Sequence, residues 1–127
     1  MYPQKIKVEG ILDPIGANGI YTFTESYPAN LYAKGSLIAP PSVYEYGFYP
    51  QLSGETSARW RLLAAIDMEF VILYVSQYFD GTLDDLPPPN DDAMIWTQEE
   101  GIGYISVTEY ILSGALIPLI ESMYEEW

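Results

Sequence analysis

The chain has 127 residues, a formal net charge of −13, no cysteine and no histidine. Its length fits one domain, since domains usually contain roughly 100–150 residues. With 49% apolar residues and twelve tyrosines, it belongs to the ordered globular class. The missing residue types exclude disulfides, thiolate or imidazole metal ligands and Ser-His-Asp catalysis. The longest apolar run, 115–120, is far shorter than the roughly 20 residues that span a bilayer, so we expect no membrane association.

Charge is distributed unevenly along the chain. The five basic residues lie in the first 61 positions, where five acids balance them. From residue 62 onward there are thirteen acids and no Lys or Arg, so the net charge belongs to the second half. Because such a half repels phosphate backbones, we expect no nucleic-acid binding. The acidic residues are expected to form a solvated surface. Two alternatives are a docking surface for a basic partner and a binding site for divalent cations.

The first part of the chain predicts a β-hairpin. Residues 6–12 alternate apolar and polar side chains, as a half-buried strand does. Residues 13–19 are dense in turn formers and include the pair Asn18-Gly19, which suits positive φ. Residues 20–24 then supply a strand rich in β-branched and aromatic side chains. Shorter strands are expected at 31–34 and 37–38, around Gly35.

Residues 39–57 hold three prolines and two glycines without sustained periodicity, so we expect an ordered loop. Within it Tyr44, Tyr46, Phe48 and Tyr49 form an aromatic cluster. These rings fit three roles: filling the local core, anchoring a protein interface, or forming a sugar-binding platform.

The strongest strand signals are residues 59–66 and 70–76, separated by a tight turn. This hairpin is expected at the centre of the sheet. The second strand is apolar on both faces, which predicts that something covers both of its sides.

A second long loop is expected at residues 80–92, which contain five acids and three consecutive prolines. Strands are expected at 93–97 and 103–107, although Ser106 and Glu109 also fit a capping box that would start a short helix. The tail predicts an amphipathic helix that packs on the sheet or on a neighbour. Its apolar face consists of Leu119, Ile120, Met123, Tyr124 and Trp127.

Motifs for catalysis are missing from the sequence. It contains no G-x-S-x-G, no P-loop and no complete G-x-G-x-x-G, because Gly101-Ile102-Gly103 lacks the third glycine. Paired carboxylates remain as an alternative, but eighteen acids supply such pairs by abundance alone. We therefore expect a protein that is not an enzyme and has no cofactor. A weak candidate for a Ca²⁺ site is the set Asp84, Asp85, Asp91 and Asp92, whose spacing is not that of an EF-hand.

Several short motifs occur in a recognisable order. They are Gly16-x-Asn18-Gly19-x-Tyr21, Leu31-Tyr32, Arg59-Trp60-Arg61-Leu62, Ile72-Leu73-Tyr74-Val75-Ser76 and Trp96. This order resembles a small β-module of bacteriophage virion and tail-fibre proteins, in which an N-G-x-Y hairpin precedes a tyrosine strand, a W-x-I/L strand and a Y-x-S strand. The match covers about residues 6–97, while the 39–57 segment and the tail depart from it.

The resemblance implies a structural protein of the virion, assembled in the host cytoplasm. Such a protein would be a capsid decoration, neck or tail component that docks onto other virion proteins or forms a homo-oligomer. Two alternatives come from the residues: a carbohydrate-binding module that uses residues 44–49, and an acidic inhibitor that mimics nucleic acid. The candidate partner-binding residues are Tyr44, Tyr46, Phe48, Tyr49, Leu119, Met123, Tyr124 and Trp127.

The expected fold is mainly β, a β-rich α+β domain over residues 1–127. It should contain a small antiparallel sheet or sandwich of about six to eight strands and a C-terminal amphipathic helix. The β core is expected in residues 1–97, and the turn, a short strand or helix, and the C-terminal helix in 98–127.

Overall fold

The structure is a computed structural model that describes residues 2–24, 31–38, 43–67 and 69–111. These ranges contain nine strands and two short 3₁₀ turns, at Ile15–Ala17 and Leu83–Asp85. The strands are β1 Lys5–Asp13, β2 Gly19–Thr24, β3 Leu31–Ile38, β4 Val43–Ser53, β5 Ser57–Ile66, β6 Glu69–Ser76, β7 Phe79–Asp80, β8 Trp96–Gln98 and β9 Ile102–Glu109.

All nine strands belong to one antiparallel sheet in the order β8-β6-β5-β4-β3-β2-β1-β9, with the short β7 on β5. Because β8 and β9 are consecutive in the chain yet stand at opposite ends of this order, the sheet curls until its ends meet. At the meeting point the Gly101 N–H donates to the Leu73 carbonyl at 3.1 Å. The predicted fold class is confirmed as mainly β and antiparallel, in the form of a single, nearly closed sheet.

The interior of the sheet is lined by aromatic and aliphatic side chains at alternate positions of the strands. In β1, Ile6 and Val8 are completely buried while Lys5, Lys7 and Glu9 are exposed, as the period of two requires. The largest interior side chains are Tyr21, Tyr32, Phe48, Trp60 and Tyr74.

Two interior tyrosine hydroxyls have hydrogen-bond partners. The Tyr21 hydroxyl donates to the Ala17 carbonyl at 2.6 Å, and the Tyr32 hydroxyl donates to the Pro3 carbonyl at 2.6 Å. Burial raises the pKa of both phenols far above the ordinary value, because a phenolate would lose its hydration inside the sheet. These tyrosines therefore stay neutral donors.

Both predicted hairpins are present. Strand β1 pairs with β2, and β5 pairs with β6. In the first turn only Gly19 has a positive φ, of 126°. Asn18 acts through its side chain, which accepts from the Ile11 N–H at 3.0 Å and donates to the Ile11 carbonyl at 2.7 Å. Its amide thus takes the place of a strand neighbour for Ile11.

The loop predicted at residues 39–57 is wrong over most of its length, because Val43–Ser53 is strand β4. Proline is tolerated at position 50 because its ladder partner Trp60 directs its N–H toward β6, donating to the Ser76 hydroxyl at 2.9 Å. Position 50 therefore needs no N–H toward β5. The period-two spacing of Tyr44, Tyr46 and Phe48 is the strand signal that the prolines obscured.

The acidic loop covers one end of the interior. Leu86 and Pro89 are buried, the Trp60 indole N–H donates to the Pro87 carbonyl at 2.7 Å, and the Tyr2 hydroxyl donates to the Leu86 carbonyl. Farther along, Ser106 and Glu109 lie in strand β9. These two residues therefore do not form the capping box of a short helix, and the strand alternative is confirmed. The tail from residue 112 lies outside the described residues.

Candidate functional site

The aromatic residues predicted as one binding cluster are divided between the two faces of β4. Phe48 is completely buried in the interior, with its ring centroid 5.0 Å from that of Tyr21. Tyr49 lies on the outer face, with its ring 5.9 Å from that of Phe70. Tyr46 is half-buried on the Phe48 side, and the Lys34 ammonium stands 5.3 Å from its ring centroid. These three rings therefore do not form one platform; the Tyr44 side chain lies outside the described residues.

The four aspartates proposed as weak Ca²⁺ ligands are partly engaged in local turns. The Asp85 carboxylate accepts from the Thr82 N–H at 2.9 Å and from its hydroxyl at 3.1 Å, and these bonds lower its pKa. Asp91 accepts from the Ala93 N–H at 2.9 Å. In the part of the chain that the structure describes, no three acidic side chains, those of Asp84 and Asp92 included, gather into a ligand set.

The predicted tail residues Leu119, Met123, Tyr124 and Trp127 lie outside the described residues. The described surface has two further features that were not predicted as sites. One is a groove where the ends of the sheet meet, and the other is an outer face on β5 and β6.

The groove lies between β8 and β9 and has a volume of about 360 Å³. In the described ranges β9 pairs with β1 alone, so its other edge bounds the groove. The Tyr74 hydroxyl donates to the Gly103 carbonyl at 2.7 Å and holds the two ends of the sheet together. The lining residues are Tyr74, Met94, Trp96, Gln98, Gly103, Tyr104 and Ile105.

Apolar side chains stand exposed beside this groove. Leu12 is 71% exposed, Ile102 is 49% exposed and Tyr104 is 95% exposed. They are contiguous because β1 and β9 are paired here, with Asp13 opposite Ile102. We call Leu12, Ile102 and Tyr104 the groove rim.

Two glycines allow β1 and β9 to approach closely under the rim. Gly10 has φ 90° and Gly103 has φ 111°, a region that other residues rarely adopt. A Cβ on Gly10 would lie 2.0 Å from the Tyr104 carbonyl oxygen, and a Cβ on Gly103 would lie 2.3 Å from the Gly10 carbonyl oxygen. The ladder is irregular at this point, while Ile102 and Tyr104 keep the regular alternation of β9 and lie on its exposed face.

A sequence signal for the rim does exist. In β9 the exposed positions include Ile102 and Tyr104, while Ile105 and Val107 pack against the core. The strand is thus apolar on both faces at its start. This pattern can be read from the sequence, but the pairing of the strand with β1 cannot. Gly101-Ile102-Gly103, which fails as a nucleotide motif, instead serves the close approach of strands.

The outer face of β5 and β6 combines cationic and apolar side chains. The Arg59 guanidinium lies 4.6 Å from the Tyr78 ring centroid, and its Nε donates to the Gln51 side-chain oxygen at 2.8 Å. On β6, Phe70 is 48% exposed and Ile72 is 37% exposed. Val75, which is the ladder partner of Arg61 on this face, is only 5% exposed. Among the described residues, the covering predicted for both sides of this strand is therefore present on the outer side at Val75 but not at Phe70 and Ile72.

Comparisons of the chain with protein-family models, with curated proteins and with solved structures give no match. Within residues 2–24, 31–38, 43–67 and 69–111, no helix has the length and hydropathy needed to cross a bilayer. The groove and its rim are therefore the features of this molecule from which a function can be inferred.

Proposed function

We propose that this protein is a non-enzymatic structural component of a bacteriophage particle, which docks through the groove rim onto a neighbouring virion subunit. Two observations support the proposal. The motif order from Gly16 to Trp96 resembles virion β-modules, and the rim presents exposed apolar side chains next to a groove.

The observation that carries the proposal is the exposure of Tyr104. A tyrosine side chain that is 95% exposed beside an open groove is the type of residue that anchors protein interfaces, because it adds apolar area at little cost in side-chain entropy. Among the described residues, the edge of β9 away from β1 has no strand partner, and it offers backbone groups beside Tyr104 to which a partner's strand can add. A neighbouring subunit would thus be held by backbone hydrogen bonds and oriented by the rim.

The test is co-sedimentation of the protein with intact particles in a density gradient, using wild-type chain, Tyr104→Asp and Thr108→Asp. Thr108 is exposed on the same face of β9, so its replacement matches the added charge without removing a rim residue. An interface anchor is worth about 2 kcal/mol or more, so occupancy of Tyr104→Asp should fall at least tenfold while Thr108→Asp stays near wild type.

Two results would count against the proposal. One is a wild-type protein that sediments with no particle fraction. The other is a Tyr104→Asp variant that occupies particles as fully as Thr108→Asp does.

A further inference from the structure

The edge of β9 away from β1 carries backbone groups that have no partner among the described residues. On its other edge the Tyr110 N–H donates to the Lys5 carbonyl at 3.0 Å, which makes these two residues a hydrogen-bonded pair. Such pairs alternate with non-hydrogen-bonded pairs along an antiparallel ladder, and the register is regular from position 106 to position 109. Val107 and Glu109 therefore direct their N–H and C=O groups away from β1. No strand that the structure describes pairs with β9 on that side.

The groove beside this edge is suited to an extended segment. Its opposite wall is β8, which pairs with β6 along one edge and contributes Trp96 and Gln98 to the groove. A strand that adds to β9 directs alternate side chains to opposite faces. Every second side chain would thus lie against Met94, Trp96 and Ile105, which line the groove. The inward positions of such a strand therefore need to be apolar.

The charges around β9 determine what the outward positions need. Exposed carboxylates stand at both ends of this strand, with Glu99 and Glu100 in the turn before it and Glu109 at its last position. The N–H groups of Glu99 and Glu100 donate to β6 carbonyls at 2.9 and 3.0 Å, which fixes the turn. The chain has no Lys or Arg after residue 61, and Lys7 of the neighbouring β1 pairs with Glu9 at 3.7 Å. A complementary strand therefore carries cations.

A second copy of this chain does not supply such a strand. Its basic residues lie in β1, β3 and β5. Each of these strands is paired along both edges, so none is available to add to β9 of another molecule. Two copies, each with net charge −13, also repel one another.

We propose that the groove receives an extended basic segment of a different protein, in which Lys or Arg alternates with apolar residues. The segment adds antiparallel to β9, and its backbone pairs with the free N–H and C=O groups of Val107 and Glu109. Its apolar side chains enter the groove, and its cations lie beside Glu99 and Glu100. The inference rests on the proposed docking at the groove rim and adds the partner's chemistry, namely that the neighbouring subunit presents a free basic strand.

The test uses two synthetic peptides with the same number of residues as β9, which has eight. One alternates Lys with Val, and its counterpart alternates Glu with Val. Each is titrated into the isotope-labelled full-length protein, and binding is followed by backbone amide NMR. The Lys–Val peptide should bind about tenfold more tightly or better. In its complex the amides of Val107 and Glu109 should exchange with D₂O about tenfold more slowly than in the free protein, because they become hydrogen-bonded.

Two pairs of substitutions separate the groove from the general negative charge of the protein. Glu99→Gln with Glu100→Gln should weaken binding of the Lys–Val peptide about fivefold. Glu45→Gln with Glu55→Gln is the matched control, which changes the net charge equally and should weaken binding less than about twofold. Both control residues are exposed, on β4 or directly after it, and β4 stands in the middle of the strand order, away from β8 and β9.

Four results would each overturn the proposal: no tighter binding of the Lys–Val peptide, equal effects of the two pairs of substitutions, unprotected amides of Val107 and Glu109 in the complex, or a complex that contains two copies of the chain. Co-sedimentation of the wild-type chain with particles is measured without the peptides. Failure of the basic-strand proposal is therefore distinguishable from failure of the proposed function.

Discussion

Replacement of Gly103 by alanine should separate β1 from β9 and thereby disturb the groove. The new methyl carbon would lie 2.3 Å from the Gly10 carbonyl oxygen and 2.9 Å from the Leu12 nitrogen. An ordinary contact between such atoms is about 1 Å longer than the first of these distances. Both neighbours are backbone atoms, which cannot turn aside as a side chain would. The strands must therefore move apart or the ladder must break.

The expected cost has two parts. Alanine at φ 111° is strained by about 1–3 kcal/mol. Loss of one ladder hydrogen bond as the strands separate adds about 0.5–1.5 kcal/mol. Together they predict that the free energy of unfolding falls by about 1.5–4.5 kcal/mol.

Gly54→Ala is the matched control. Gly54 also has a positive φ, of 65°, but a Cβ there meets no atom within 4 Å, so its replacement should cost about 1 kcal/mol. Urea unfolding followed by tryptophan fluorescence, to which the buried Trp60 contributes, measures both variants. With a slope of about 2 kcal/mol per molar urea, the midpoint should fall by about 1–2 M for Gly103→Ala and by about 0.5 M for Gly54→Ala. Equal midpoints would refute the close-approach argument.

Phe48→Ala should lower the free energy of unfolding by about 3–5 kcal/mol, because it leaves a cavity among interior rings; a loss under 1 kcal/mol in urea unfolding would contradict the buried placement. Asn18→Ala should cost about 2 kcal/mol, since the Ile11 N–H and carbonyl lose their partner, and an unchanged urea midpoint would argue against this pairing. Burial, with a smaller contribution from Asp84, raises the pKa of Tyr2 to about 12. The neutral phenol is thus favoured in the fold, so stability should hold below about pH 10 and decline toward pH 12. Tyr2→Phe should make that decline shallower when urea midpoints are compared at several alkaline pH values.

Local patterns predicted strands where nothing in the sequence opposed them. Alternation in residues 6–12 and the β-branched run at 59–66 both lie in strands of the structure. The segment 39–57 was predicted as a loop because proline and glycine usually interrupt strands. Pro50 nevertheless occupies a ladder position, since its partner Trp60 directs its N–H to the Ser76 hydroxyl and not to β4. That tolerance depends on pairing between distant residues, which no local pattern encodes.

The candidate site was harder to predict than the fold. Proximity in sequence suggested that Phe48 and Tyr49 act together, yet consecutive residues of a strand point to opposite faces. The groove rim instead joins Leu12 to Tyr104 through the pairing of β1 with β9. The sequence contains the glycines that permit this approach, but not the information that they meet.

The amino-acid sequence by itself determined that this chain has no thiol or imidazole chemistry, that its acids accumulate after residue 61, and that its residues alternate in strand-like fashion. Tertiary structure decided which apolar residues remain exposed. Phe48 and Phe70 are both strand aromatics, yet the first is completely buried and the second half-exposed. The physical reason is that alternation shows which side chains share a face, whereas the direction in which the sheet curls determines which face becomes the interior.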